Sequence, residues 1–72
     1  MSERYEAAAK LYDEAAAELE LAAAHCRTTA GHFREGEVPR AAAHAWAATG
    51  HLRNAEDRLD AQARQHAERS SV

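Results

Sequence analysis

The chain has 72 residues, a length near the lower limit for a stable hydrophobic core, so it holds one small domain at most. Its formal charge is −3, and nine basic residues are scattered among twelve acidic ones, which argues against nucleic acid or an anionic membrane as a partner. One cysteine excludes an internal disulfide, and no signal peptide or membrane-spanning stretch is recognisable, so a cytoplasmic location is expected.

The first predicted element is a helix over about residues 3–35. Its bulkier residues recur at seven-residue spacing, as along the seam of a coiled coil, and form a large row of Tyr5, Tyr12, Leu19, Cys26 and Phe33. If this row occupies heptad position a, small residues fill positions d and e: Ala8, Ala15, Ala22, Thr29 and Ala9, Ala16, Ala23, Ala30. The pattern predicts that the helix buries all three rows.

A turn over residues 35–38 comes next, because Gly36 suits the position after a helix and Pro39 suits the first turn of the following one. The second helix is predicted over about residues 39–69. Its heptad rows are Val38, Ala45, Leu52, Leu59 and Ala41, Ala48, Ala55, Gln62. The sequence therefore predicts one all-α domain over residues 1–72, an antiparallel two-helix hairpin of coiled-coil type with an alanine-rich seam.

The register between the two helices follows from packing the large row against the small residues of the second helix. Phe33 then meets Ala41, Cys26 meets Ala48, and Leu19 meets Ala55. The same register pairs residues on one flank of the seam: His25 with His51, His32 with His44, and Glu18 with Arg58.

The two histidine pairs are the candidate metal site. They are predicted to lie about two helical turns apart, roughly 10 Å, so each pair would supply two ligands to a transition metal such as zinc, copper or nickel. Two other interpretations remain open at this point. The histidines can be half-exposed polar residues beside the seam, or a pH switch that loosens the hairpin when facing rings become protonated.

The opposite flank is smooth and rich in alanine, and it includes the tryptophan. A single hairpin would leave the Trp46 ring in water, so a second hairpin is expected to cover this flank and complete a homodimeric four-helix bundle. The residues predicted at that interface are Trp46, Ala23, Ala30, Ala42 and Thr49.

No nucleophile with an oriented base can be placed, since Cys26 is expected in the core and its neighbour His25 on another face. The leading functional hypothesis is a small non-enzymatic interaction or regulatory module without a cofactor. It would dimerise and offer its nearly neutral tip region to another protein. The alternative hypothesis is a metal-binding bundle that uses His25, His51, His32 and His44.

Overall fold

A computed structural model describes residues 2–70 of the chain, with side chains from residue 3 onward. It contains two helices, α1 (Ser2–Arg34) and α2 (Val38–Arg69), packed against each other as an antiparallel hairpin. The all-α hairpin is thus confirmed, and both helices begin and end within one residue of their predicted limits. The molecule measures 54 × 23 × 12 Å between Cα atoms. Within residues 2–70, no helix combines the length and the apolar character needed to cross a bilayer.

The turn is short because Glu37 forms backbone hydrogen bonds with both helices. Gly36 has a φ of 74°, and its N–H donates to the carbonyl of Phe33 at 3.0 Å. The N–H of Glu37 donates to the carbonyl of His32 at 2.8 Å, which completes a Schellman motif at the end of α1. The carbonyl of Glu37 then accepts the first hydrogen bond of α2, from the N–H of Ala41 at 3.0 Å.

The centre of the hairpin consists of alanine. The buried residues among those described are Ala15 of α1 with Ala41, Ala48 and Ala55 of α2, between 0% and 8% exposed. All four occupy heptad position d of their helices. Methyl side chains on both sides allow the two backbones to approach closely, as small residues do wherever helices pack tightly.

The predicted burial of the large row is wrong. Tyr5, Tyr12, Leu19 and Phe33 are between 43% and 63% exposed, and Cys26 is exposed as well. The physical reason is size, because bulky side chains do not fit between helices that touch along alanine. The d rows therefore face each other, and the large row lies beside the contact instead of within it.

The hairpin has two unlike sides. On one side, position g of both helices presents mostly polar residues, including four histidines. On the other side, Phe33 of α1 and Ala42, Ala45, Trp46 and Thr49 of α2 line a shallow open depression of about 340 Å³. We call this second side the apolar face, and it comprises the large row of α1 together with Val38, Ala45, Leu52, Leu59 and Trp46 of α2.

The glycines give a matched test of the turn. Gly36 requires a left-handed backbone that costs other residues about 1–2 kcal/mol, so Gly36→Ala should lower the free energy of unfolding by about that amount. Gly50 lies inside α2 with open space around its missing Cβ, so Gly50→Ala should raise it by about 1 kcal/mol. Chemical denaturation at one fixed protein concentration measures both changes. If both variants raised the free energy of unfolding, or both lowered it, the left-handed conformation of Gly36 would be contradicted.

The alanine contact is tested by enlarging one buried residue. Ala55 is 0% exposed, so Ala55→Leu should separate the helices and cost about 1–3 kcal/mol of unfolding free energy. Ala43 is exposed on the outer surface of the same helix, so Ala43→Leu should change the unfolding free energy by less than about 0.5 kcal/mol. Similar denaturation midpoints for both variants would show that the helices do not meet at Ala55.

Candidate functional site

The four histidines at position g form one continuous file. His25 and His32 of α1 alternate with His44 and His51 of α2, and all four are half-buried. In order along the hairpin, the rings are those of His32, His44, His25 and His51. Their successive centroid distances are 5.4, 5.2 and 5.5 Å, so each ring packs against the next. We call these four residues the histidine file.

The two inner rings are joined by a direct nitrogen contact. The Nδ1 atoms of His25 and His44 lie 2.9 Å apart, which is hydrogen-bond distance. Such a bond requires one Nδ1 to carry a hydrogen and the other to offer a lone pair. If both rings were protonated, two N–H groups would face each other and this contact would become repulsive.

Each outer ring contacts a carboxylate. His51 Nδ1 lies 2.6 Å from Glu18 Oε2, and the other oxygen of Glu18 accepts a weaker bond from Asn54 Nδ2 at 3.4 Å. At the tip, His32 Nδ1 lies 3.4 Å from Glu37 Oε2. That same oxygen accepts a hydrogen bond from Arg40 Nη1 at 3.0 Å. The histidine file therefore runs between two acidic groups, one contributed by α1 and one by the turn.

The hydrogen bond from His51 lowers the pKa of Glu18 below its ordinary value of 4.5. Loss of hydration around the carboxyl group opposes this shift, while Asn54 and the positive charge of Arg58 reinforce it. Glu18 is therefore a carboxylate at neutral pH, and as a pure acceptor it requires the facing nitrogen of His51 to carry a hydrogen.

The sequence-predicted partners come together, although their arrangement differs from the prediction. His25 stacks on His51 and His32 stacks on His44, as the register requires. Histidines of the same helix keep the predicted seven-residue spacing, but the two pairs are in contact with each other, because His44 of one pair packs against His25 of the other at 5.2 Å. The contact between His25 and His44 was not predicted, although seven-residue spacing on both helices was a signal for it.

One predicted ion pair also has a different partner. Arg58 was expected to face Glu18, but its Nε lies 3.5 Å from Glu14 Oε1. Glu14 is four residues before Glu18 on α1, so Arg58 reaches one helical turn further toward the open end. The interaction is half-exposed and is expected to contribute little to stability.

The turn adds a second group of metal-ligand types. His32, Glu35 and Glu37 each offer one ligand atom, and these three atoms lie within 4.8 Å of one another. It is the one such group of three or more among the described residues. Glu35 is exposed, and Glu37 is already bonded to Arg40.

The predicted interface residues lie on the apolar side of the hairpin. Trp46 is 76% exposed and Ala42 is exposed, while Ala23, Ala30 and Thr49 are half-buried. Thr49 donates its hydroxyl hydrogen to the carbonyl of Ala45 at 3.1 Å, so its polar group is satisfied within α2. Thr49 therefore adds no unsatisfied hydroxyl donor to this side.

Comparison with known proteins gives no match to a family model, a curated protein or a solved structure. A proposal about function therefore depends on the geometry of this molecule. Its two distinctive features are the exposed apolar face and the histidine file.

The contact between Glu18 and His51 predicts a pH-dependent stability. A carboxyl pKa that is lower in the folded chain stabilises the fold above about pH 4.5, and that contribution is lost as the pH falls through the lowered pKa. Glu18→Gln should therefore destabilise the hairpin at pH 5 and progressively less toward pH 3. Chemical denaturation across this range measures the change, with Glu20→Gln, an exposed neighbour, as control. If the difference in unfolding free energy between Glu18→Gln and wild type did not change with pH, the pairing of Glu18 with His51 would be contradicted.

Proposed function

We propose that the chain is a non-enzymatic protein-interaction module that acts as a homodimer of helical hairpins. One observation carries this proposal: the hairpin leaves its large hydrophobic residues in water. Nine of them are between 41% and 76% exposed, whereas the buried core among the described residues is four alanines. Contiguous exposed apolar surface of this kind marks interaction sites in folded proteins. The nine are Tyr5, Tyr12, Leu19, Leu21, Phe33, Val38, Trp46, Leu52 and Leu59.

The exposed area has the size that a dimer needs. The hairpin exposes 5480 Å², whereas a compact monomer of its mass exposes about 4,400 Å². The excess of about 1,000 Å² is comparable to the roughly 800 Å² that each partner buries in a standard protein interface. A second copy of the chain can therefore cover this excess without any additional protein.

The apolar face is where the second hairpin would lie. It combines the large row of α1 with the depression around Trp46, and all but one of the nine large residues belong to it. Two hairpins joined through this face form a four-helix bundle, in which the exposed rows become a shared core. The histidine file remains outside that interface because it is on the other side of the hairpin.

Charge favours an orientation in which the two hairpins point in opposite directions. Residues 1–20 carry a net charge of −4, whereas residues 21–52, which include the tip, carry +1. A parallel arrangement brings the two acidic ends together, and like charges at close range are unfavourable. An antiparallel arrangement places the acidic end of each hairpin beside the tip of its partner. We therefore propose the antiparallel orientation.

The tip is the proposed contact for another protein. It presents Arg27, Arg34 and Arg40, which are exposed and lie outside the apolar face, and arginine is among the residues that most often anchor interfaces. What supports a non-enzymatic role is that Cys26, the single thiol, lies on the large row, away from the histidines. The thiol and the imidazoles that could act as its base therefore lie on different sides of the hairpin.

Two leucines of α1 provide a matched test of the dimer. Leu19 and Leu21 are 43% and 46% exposed, but Leu19 belongs to the apolar face, and Leu21 lies two residues on, about 200° around the helix. Leu19→Glu should give a monomer because it places a charge inside the proposed interface, whereas Leu21→Glu should remain dimeric. Sedimentation velocity at micromolar concentration under reducing conditions measures the mass, expected at twice 7.9 kDa for wild type.

A wild-type mass of one chain would contradict the homodimer, and so would equal masses for the two variants. The single tryptophan gives an independent readout. Trp46 fluorescence should shift to longer wavelength as wild type is diluted, since the ring returns to water when the hairpins separate. The Leu19→Glu variant should show the longer wavelength at every concentration.

A further inference from the structure

A row of charged residues borders the apolar face along α1. Its members occupy heptad position b, so each directly follows a residue of the large row in the sequence. From the open end of the hairpin to the tip they are Glu6, Asp13, Glu20, Arg27 and Arg34. All five are exposed, and none of the salt bridges formed within residues 3–70 involves them. We call these five residues the charged row, and its sign changes from negative to positive along the helix.

We propose that the charged row is self-complementary and determines the register of the homodimer. Two copies of α1 pack antiparallel through the apolar face, and Glu6 then lies beside Arg34 of the partner subunit. In the same register, Asp13 lies beside Arg27 of the partner subunit. Two-fold symmetry gives each pair twice, so four opposite-charge pairs line the interface. This inference rests on the proposed homodimer and deepens it, because it names the residues that recognise the second copy.

The large row packs well in the same register. Four of its residues each meet an alanine of position e, and these alanines are half-buried or exposed in the hairpin, so they are accessible for contact. The contacts to alanines of the partner subunit are those of Phe33 with Ala9, Cys26 with Ala16, Leu19 with Ala23, and Tyr12 with Ala30. Large residues opposite small ones let two helices approach closely. The register chosen from charge therefore also satisfies the packing of apolar side chains.

The second helix has a register of the same kind. When α2 packs antiparallel on its copy, Leu52 meets Thr49 of the partner subunit, again a large residue against a smaller one. This packing brings the Trp46 ring beside Arg53 of the partner subunit. Trp46 is 76% exposed, and Arg53 is exposed and takes part in none of the salt bridges within residues 3–70. A guanidinium group over an indole ring is attractive, so the contact covers an aromatic side chain that the hairpin leaves in water.

One two-fold axis relates both pairs of helices. The contacts of α1 are centred at the level of Leu21, and those of α2 are centred between Thr49 and Leu52. Within the hairpin, Thr29 Oγ1 donates to the carbonyl of Ala41 at 3.4 Å, which places these two residues at one level. Counting equally far from the turn along both helices then places Leu21 beside Thr49. The two centres therefore coincide to within about two residues, roughly 3 Å along the helices, as a shared axis requires.

The charged row selects the orientation of the dimer more than it strengthens the dimer. Exposed ion pairs contribute little each, and Glu20 lies beside its own copy at the axis, which is weakly unfavourable. In a parallel dimer, by contrast, two-fold symmetry places every charge of the row beside an identical charge. Arg27 and Arg34 remain at the rim of the antiparallel dimer, where the tip contact proposed above can still reach them.

Charge reversal tests the register by sedimentation velocity at low ionic strength. The variant with Arg27→Glu and Arg34→Glu should dimerise at least about tenfold more weakly than wild type, because four attractive pairs become repulsive. Adding Glu6→Arg and Asp13→Arg to that variant should restore the dimer, since the charged row is then reversed from end to end and is again self-complementary. Because this second variant retains the first two substitutions, a restored dimer shows that they do not act by misfolding.

The matched control is the variant with Lys10→Glu and Arg64→Glu, which makes the same change of net charge at exposed residues of position f and should dimerise as wild type does. Cross-linking with a short bismaleimide gives a second readout. It should join two copies of the variant with Glu20→Cys and Cys26→Ser, whose thiols meet at the axis. It should not join wild type through Cys26, whose two copies lie roughly 15 Å apart along the helices in this register.

The outcomes separate this register from the homodimer itself. A monomeric wild type would remove both. If wild type is dimeric but Arg27→Glu with Arg34→Glu dimerises as tightly as the control, the register is wrong and the homodimer stands. The same conclusion follows if the variant with all four reversed charges stays monomeric, or if wild type is cross-linked through Cys26, which would indicate a parallel dimer. Circular dichroism verifies that each variant keeps its helices.

Discussion

The close approach of two helices along their alanine rows determines the other features of this molecule. Ala15, Ala41, Ala48 and Ala55 fill the contact and are nearly inaccessible to solvent. Methyl groups bury little area, so this contact sets the geometry of the hairpin while contributing only modestly to its hydrophobic stabilisation. The larger apolar side chains are excluded from it, and they therefore remain exposed on the apolar face.

The same contact creates the histidine file. Helices that meet at position d bring their g rows together on one side, and the antiparallel direction makes the two rows interleave. Four imidazoles then stand within 5.5 Å of their neighbours, with carboxylates at both ends. The exposed apolar face and the histidine file thus arise on opposite sides of one hairpin, from one packing arrangement.

Much of the fold could be predicted from residue types and spacing. Gly36 and Pro39 locate the turn, and the heptad rows give both helices and the pairing of His25 with His51. The rotation of each helix about its own axis could not be predicted in this way. Positions a and g lie on opposite sides of position d, and heptad periodicity alone does not decide which of them is turned toward the other helix. Side-chain size decides it, since the rings of Tyr12 and Phe33 cannot enter a contact sized for alanine. The link between His25 and His44 depends on that rotation.

The most direct test of this packing is a nuclear Overhauser experiment on labelled Leu19→Glu protein, which is expected to be monomeric and so free of contacts between hairpins. The alanine contact predicts cross-peaks from the ring of His25 to the rings of both His44 and His51. Cross-peaks from the ring of His25 to only one of these two rings, or to neither, would contradict the account.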